Sequence, residues 1–378
     1  MRNTIIDNMR GLCMLGVIGI HVGSLALAPD NFILYLFLEI LSRYSVPSFF
    51  FISGYGLVCN DKGLLTGSTL NYIDFMKKRL RGAALPYLSW SLFYMLYFWL
   101  ILPPGFVSWE PLHVAFVLFF GLGCYHLYFM VILLWFYGSY PLWRNLLRII
   151  IHHNISFMLV LLFVFQLLFN WWTTHSSLNT ATWSVLAKNF FNYRLNYLPL
   201  HYLLIFIIGG LAALYWQQLL AILRKHAISV VLIYITAIIY DVYSCYNAMY
   251  SKGYTLIDLA NTYHQLSPQG LYYTIGSLLF FCLTLDFLER KASKNITASL
   301  FLKNLTLLSS YSMLIYFIHP LLLDWLTSLY NYFGIIMTVK KVIFSYILIV
   351  CCSLLLSIIL TYIFSRSATL KLFFTGKS

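Results

Sequence analysis

Long apolar stretches, separated by short polar and basic segments, run along the whole chain. Each stretch approaches the ~20 residues that an α-helix needs to cross the hydrocarbon core of a bilayer. The pattern predicts about ten such helices, over residues 8–28, 32–59, 84–102, 125–143, 155–171, 198–223, 227–246, 270–288, 307–331 and 337–364. We therefore expect an all-α integral membrane protein without a soluble domain, in which residues 1–378 form a single transmembrane domain.

Two parts of this pattern leave alternatives open. The stretch Val114–Gly123, just before the fourth predicted span, is too short to cross alone and could be a re-entrant or interfacial piece. The first apolar stretch follows Arg2 and Arg10 and ends in Ala26–Ala28, which imitates a cleaved signal peptide. Because Pro29 would stand directly after the cut, we interpret this stretch as the first spanning helix.

Composition supports a membrane protein and excludes several other classes. Hydrophobic residues make up 61% of the chain and charged residues only 9%, too few to cover a soluble core of this size. The formal charge of +13 does not indicate a nucleic-acid partner, because the basic residues fall in short clusters between apolar runs. The 7 cysteines show no C-x-x-C spacing, so neither a disulfide framework nor a metal site is expected.

The basic clusters occupy alternate connections between the predicted spans. They comprise Arg2 and Arg10, then Lys62, Lys77, Lys78, Arg79 and Arg81, then Arg144 and Arg148, then Arg224 and Lys225, then Arg290, Lys291, Lys294 and Lys303, and finally Arg366, Lys371 and Lys377. Lys340 and Lys341 are the exception. The positive-inside rule therefore predicts that both termini are cytoplasmic, which requires an even number of spans.

Three ionisable residues mark the first predicted helix: Asp7, Arg10 and His21. Ionisable groups inside a bilayer are costly, and they mark function or a paired structural role. Eleven positions separate Arg10 from His21. In a helix this is three turns plus about 20°, with a rise of roughly 16 Å, so both side chains share one face. The alternatives are a histidine that only bonds a neighbouring helix, and a titratable group aligned with a surface cation.

Polar groups also interrupt the second predicted helix. Glu39 and Arg43 lie four positions apart and hence on one face. The next segment, SVPSFFFISGYGL, contains Pro47, which disturbs helical hydrogen bonding. One interpretation is a buried ion pair beside a kink. The other is the polar wall of a substrate cavity, with Ser53 and Tyr55 as further contacts.

Two later motifs add charge and a second histidine. The cluster KKRLR at residues 77–81 is either a topology signal or a phosphate-binding patch. The motif SMLIYFIHP places His319 well inside the ninth predicted span, with Ser312 and Tyr316 on the same face. Its depth should be close to that of His21. Two histidines at mid-membrane favour a polar cavity more than either alone.

Five motifs occur in this order along the chain: IIDNMRG…H, SVPSFFFISGYGL, KKRLRGAALPY, YHLYFMVILL and SMLIYFIHP. Together they resemble the motifs of the acyltransferase-3 family of bacterial membrane O-acyltransferases. The resemblance extends from about residue 5 to residue 364. The spacing of Arg10 and His21 matches the family's Arg-x10-His signature. The block Ser42–Gly56 is most similar to the branch that resembles the enterobacterial common antigen O-acetyltransferase.

The resemblance implies a multi-pass enzyme of the bacterial inner membrane that moves an acyl group from cytoplasmic acyl-CoA to a hydroxyl of a cell-surface or lipid-linked glycan. Acetyl-CoA is the expected co-substrate, because acetyl is frequent in the family, and no permanently bound cofactor is implied. His21 would act as general base, with Arg10 and Asp7 completing the catalytic group. The donor would be held by Arg10, Lys78, Arg79 and Arg81, and the acceptor by Glu39, Arg43, Ser53, Tyr55, His126, Tyr316 and His319.

The chain departs from the family in three respects. Lys78 stands where the family often has the first arginine of Arg-x-x-Arg, which keeps the charge but loses the two-pronged grip on phosphate. His126-Leu127-Tyr128-Phe129 replaces His-Leu-Trp-Phe. No hydrolase-like domain follows the tenth span, so the chain either completes transfer itself or passes the acyl group to a separate envelope-polysaccharide enzyme.

Two other classes of protein remain as alternatives. A transporter or flippase of a lipid-linked glycan would also suit ten helices with polar groups at the midplane. A non-enzymatic scaffold of a polysaccharide-assembly complex would leave the intramembrane His and Arg residues unexplained.

Overall fold

A computed structural model describes residues 3–27, 31–176 and 178–377, and in these residues the chain forms helices and no strands. Arg2 and the predicted helix end at Ala28 and Pro29 lie outside the described residues. The α-helices are α1 (Thr4–Gly23), α2 (Phe32–Leu38), α3 (Ser45–Cys59), α4 (Gly63–Thr66), α5 (Tyr72–Arg79), α6 (Leu85–Ile101), α7 (Pro111–Phe120), α8 (Tyr128–Gly138), α9 (Tyr140–His152), α10 (Ile155–His175), α11 (Val185–Asn192), α12 (Arg194–Tyr197), α13 (Leu203–Leu214), α14 (Trp216–Lys225), α15 (Ala227–Lys252), α16 (Leu256–Thr262), α17 (Pro268–Ala292), α18 (Ile296–Tyr332), α19 (Val339–Ser365) and α20 (Ala368–Thr375).

The predicted all-α membrane fold is confirmed. In the described parts of the chain, 8 helices are long and apolar enough to cross a bilayer. They are α1, the continuous segments Phe32–Cys59 and Tyr72–Ile101, and α10, α15, α17, α18 and α19. The remaining two predicted spans, the fourth and the sixth, differ from expectation.

The fourth predicted span, residues 125–143, is not one long helix. Gly121 ends α7 in a left-handed conformation (φ 70°), and a new helix, α9, begins at Tyr140 with Pro141 in its first turn, so α8 has only 11 residues. An 11-residue helix rises about 16 Å, roughly half the hydrocarbon thickness. The end of α8 nevertheless lies beside the start of the segment Tyr72–Ile101. The Tyr72 hydroxyl donates a hydrogen bond to the Gly138 carbonyl at 2.7 Å.

The sixth predicted span, residues 198–223, is broken at Tyr215. The segment Pro199–Leu214 and the following α14 are bent by 100° relative to each other. The second piece, WQQLLAILRK, carries polar and basic residues that would be costly in hydrocarbon. The crossing part therefore ends at Leu214, and with this bent pair taken as one span the described residues contain up to 9 candidate spans.

The chain divides into two compact units, of which the first comprises residues 1–59 and 205–359. Within it, α1 packs most extensively against α18. A Cβ atom at Gly11 would overlap the backbone of Leu305, so glycine is what allows the two helices to approach so closely. The Thr306 hydroxyl donates to Asn8 Oδ1 at 2.8 Å beside this contact.

The second unit comprises residues 60–204 and 360–378. Two arginines of α9 hold the loop that precedes α5. Arg144 donates from Nε to Asp61 Oδ2 at 2.6 Å and from Nη2 to the Ser68 carbonyl at 2.9 Å, while Arg148 donates to the Gly63 carbonyl at 3.2 Å. These basic residues therefore also fix the backbone of a connecting loop.

Candidate active site

The structure brings together the two histidines of the first unit that the sequence analysis placed at mid-membrane. The rings of His21, in the last turn of α1, and His319, in α18, have centroids 5.2 Å apart with planes tilted by 30°. Successive contacts advance in the same direction along both helices, from Asn8–Thr306 to His21–His319, so α1 and α18 run parallel. Parallel packing of two apolar helices is what places both rings at one level of the helix pair.

The orientation of His319 is set by its own helix. Its Nδ1 lies 3.0 Å from the Ile315 carbonyl. Because a carbonyl only accepts, Nδ1 carries the hydrogen, and in the neutral ring the lone pair belongs to Nε2. His319 is fully buried, and the Tyr316 ring lies 6.4 Å from it. The pair thus offers two imidazoles in contact, a suitable arrangement for accepting and returning a proton.

Arg10 and Asp7 form an ion pair near the start of α1. Arg10 Nη1 lies 3.4 Å from Asp7 Oδ1, and the Arg10 side chain is 36% exposed while Asp7 is nearly buried. Arg10 and His21 belong to one uninterrupted helix, so the rise of roughly 16 Å between them follows from helix geometry. The helix α1 thus carries a partly exposed cation near its start and one histidine of the pair near its end.

Ser53 and Tyr55 are not grouped with the histidine pair. The Tyr55 hydroxyl accepts a hydrogen bond from Asn3 Nδ2 at 2.8 Å, which places it at the start of α1, on the side of Arg10. The Ser53 hydroxyl donates to the Phe49 carbonyl of its own helix at 2.8 Å.

Arg43 is the centre of a buried charge cluster in the same unit. Its Nε lies 3.8 Å from Glu39 Oε1, its Nη1 lies 3.9 Å from Asp241 Oδ1, and its Nη2 donates to the Tyr35 hydroxyl at 3.3 Å. Arg43 and Asp241 are each only 1% exposed. The two carboxylate contacts are longer than the 2.7–2.9 Å of a charge-assisted hydrogen bond, so the cluster is loosely bonded.

Asp241 is a residue that the sequence analysis missed. The sequence does contain an indication of this residue, since Asp241 is an acidic residue inside the apolar run AIIYDVY of α15. Intramembrane carboxylates are rare enough that each one indicates a paired or functional group.

The basic cluster and His126 belong to the second unit. The Arg79 guanidinium lies over two aromatic rings, 5.3 Å from Phe75 and 5.4 Å from Tyr137, while Lys78 and Arg81 are exposed. A π-helical turn, Leu80–Ala84, follows Arg79 directly, and such turns are frequent at functional sites. His126 is buried in the turn before α8, where its ring meets the Tyr94 ring edge-on at 5.6 Å.

Comparison with known proteins gives the class of this protein. The family model described as an acyltransferase domain matches residues 3–366, and the chain belongs to this acyltransferase-3 family. Searches among curated proteins and among solved structures find no match. Together with the membrane-spanning helices, the family supports a multi-pass membrane acyltransferase.

Proposed function

We propose that this protein transfers an acyl group, acetyl in the first instance, from cytoplasmic acyl-CoA to a hydroxyl of a cell-surface or lipid-linked glycan at the bacterial inner membrane. The observation that carries the proposal is the contact between the His21 and His319 rings, together with the partly exposed Arg10 near the start of the helix that bears His21. Acyl-CoA is a polyanion with a long flexible arm, and it needs a cation at the membrane surface and a base deeper inside.

In the proposed reaction His21 accepts the proton of the acceptor hydroxyl as its oxygen attacks the thioester carbonyl. The carbon–sulfur bond then breaks, and the CoA thiolate takes the proton back from His21. His319, held by its bond to the Ile315 carbonyl, supports the His21 ring and lines the acceptor position. Repulsion between two charged rings at this separation disfavours a doubly protonated pair, so the pair handles one proton at a time.

Donor binding is assigned to Arg10, which Asp7 orients, and to Lys78, Arg79 and Arg81. Arg79 is held by two aromatic rings, so little conformational entropy is lost when it meets a phosphate. The exposed Lys78 and Arg81 add charge that attracts a polyanion.

Acceptor binding is assigned to two groups of polar side chains. The Arg43 cluster, with Glu39, combines charged and hydroxyl groups able to bind sugar hydroxyls, and Tyr316 lies beside His319. Ser53, Tyr55 and His126 complete the proposed set of acceptor contacts. The resemblance of Ser42–Gly56 to the enterobacterial common antigen branch favours an envelope polysaccharide.

The test is transfer of radiolabel from acetyl-CoA to envelope glycan in membranes that contain equal amounts of wild-type or variant protein. We expect His21→Ala to lower transfer about 10²–10⁴-fold, the usual contribution of a general base. Arg10→Ala should raise the KM for acetyl-CoA. His152→Ala, which removes an exposed histidine of α9, serves as the matched control and should transfer normally.

Two results would overturn the proposal. Near-normal transfer by a stable His21→Ala protein would remove His21 from the chemistry. Absence of transfer from acetyl-CoA and from longer acyl-CoAs, with folded protein and supplied glycan, would favour the flippase alternative.

A further inference from the structure

A groove of about 360 Å³ opens in the first unit between the start of α15 and the end of α17. Its walls are apolar and comprise Val231, Phe280, Leu283 and Phe287. Phe287 is 46% and Val231 is 36% exposed. Because both helices are membrane-spanning segments, this exposed apolar wall faces the acyl chains of the bilayer.

The rim of the groove carries two arginines that share one carboxylate. Arg224 donates from Nε and Nη2 to the two oxygens of Asp286 at 2.9 and 2.6 Å, and Arg290 Nη2 lies 2.9 Å from Asp286 Oδ2. Asp286 is nearly buried, whereas the Arg224 and Arg290 side chains are 43% and 54% exposed. The three groups together keep one net positive charge at the surface.

One arginine would suffice to pair Asp286, so the second leaves unbalanced charge at the end of an apolar groove. Lys291 adds to it, with its ammonium 4.5 Å from the centre of the Phe287 ring. Both arginines bond Asp286 through Nε and Nη2, so each guanidinium offers its Nη1 edge to a phosphate. Basic pockets between membrane helices are typical of sites for anionic lipid headgroups.

We propose that this groove, which the transfer reaction does not use, binds one anionic phospholipid. Its phosphodiester contacts Arg224 and Arg290, and one acyl chain lies along Phe280, Leu283 and Phe287. The lipid then connects α14 and α15 to α17 at the membrane edge, and it stabilises the folded protein in proportion to its occupancy.

The test is native mass spectrometry of the purified full-length protein after incubation with phosphatidylglycerol or phosphatidylcholine. Wild-type protein should retain one phosphatidylglycerol, and much less phosphatidylcholine. Arg290→Gln, which leaves the Arg224–Asp286 pair intact, should lower retention about fivefold, the effect of one cation near an anionic surface. The matched control is Lys303→Gln, which removes an exposed charge of α18 that does not line the groove.

A second variant separates the groove from the charge. Thr284→Trp fills the groove with all cations present, so it should abolish retention, while thermal unfolding reports whether the protein is folded. Equal retention of both lipids would overturn the proposal, as would retention unchanged in Arg290→Gln and Thr284→Trp. Displacement of the lipid by acetyl-CoA would also overturn it, because the groove would then belong to the acyl donor.

Discussion

At the scale of single residues, the Arg43 cluster combines one cation with two carboxylates in a buried setting. Without Arg43, Glu39 and Asp241 would face each other's charge with no compensating partner. Without the Asp241 charge, Arg43 would still have Glu39 at 3.8 Å. The two losses should therefore differ in size, even though each removes one charge.

We accordingly expect Arg43→Gln to lower the free energy of unfolding by about 3 kcal/mol, as removal of one partner from a buried ion pair does. Asp241→Asn should cost less, since the amide keeps the volume of the side chain. Thermal unfolding in detergent measures both, with Lys188→Gln, an exposed charge on α11, as control. Equal losses for the two buried variants would contradict this account of the cluster.

Part of this site could be predicted from the sequence, and part could not. His21 and His319 could be placed at one level because depth in a membrane helix follows from counting residues along an apolar stretch. Glu39 could be named as a partner of Arg43, but the second carboxylate could not, because Asp241 lies on a helix far along the chain and local periodicity does not reveal helix–helix contacts. Tyr55 belongs to a conspicuous motif, and its hydroxyl bonds Asn3 at the level of Arg10, a contact that the motif does not reveal.

At the scale of helices, the close approach of α1 and α18 depends on Gly11. Gly11→Ala would place a Cβ against the Leu305 backbone, and the helices must separate to accept it. We expect a loss of about 1–3 kcal/mol in stability, the usual cost of overpacking. Transfer should fall as well, because the separation also moves His21 from His319. A Cβ at Gly56 has open space, so Gly56→Ala is the matched control. Normal stability and transfer in Gly11→Ala would contradict the packing argument.

The last helix, α20, begins after the end of the family match at residue 366 and packs against the π-helical turn that contains Arg81. Trp90 Nε1 donates to the Phe374 carbonyl at 3.3 Å. A Cβ at Gly376 (φ 65°) would lie 2.5 Å from the Gly82 carbonyl oxygen. This contact therefore fixes the backbone beside the proposed donor cations.

Gly376→Ala should push α20 away from this turn and raise the KM for acyl-CoA about tenfold, equivalent to ~1.4 kcal/mol of binding. The value of kcat should stay nearly constant. Gly253→Ala is the control, because Gly253 has the same left-handed backbone (φ 69°) and no atom within 4 Å of the added Cβ. A kcat loss with unchanged KM, or an equal effect of both variants, would contradict a positioning role for α20.

At the scale of the whole molecule, hydropathy predicted most of the architecture because lipid demands unbroken apolar helices. It placed α10, α15, α17 and α19 near their observed positions, whereas α1 ends at Gly23, before residue 28, and α18 begins at Ile296, before residue 307. It failed where a window of ~20 residues averages over a break. A new helix begins at Tyr140, inside the fourth predicted span, and Tyr215 interrupts the sixth.

The fourth and sixth predicted spans are irregular, but each still takes the chain across once, so the number of crossings stays even. The α7–α8 segment returns the chain to the edge where Tyr72 lies, so we count it as one passage. With the bent sixth span as another and the 8 long helices, the described residues make an even total of passages. An even number of passages keeps both termini on one side, and the basic clusters favour the cytoplasm. Green fluorescent protein fused after Lys377 should therefore fluoresce, and alkaline phosphatase inserted after Gly253 should be active. A phosphatase inserted after Lys294 should be inactive and serves as the control. The reverse pattern would invert the orientation, and then Arg10 could no longer meet acyl-CoA from the cytoplasm.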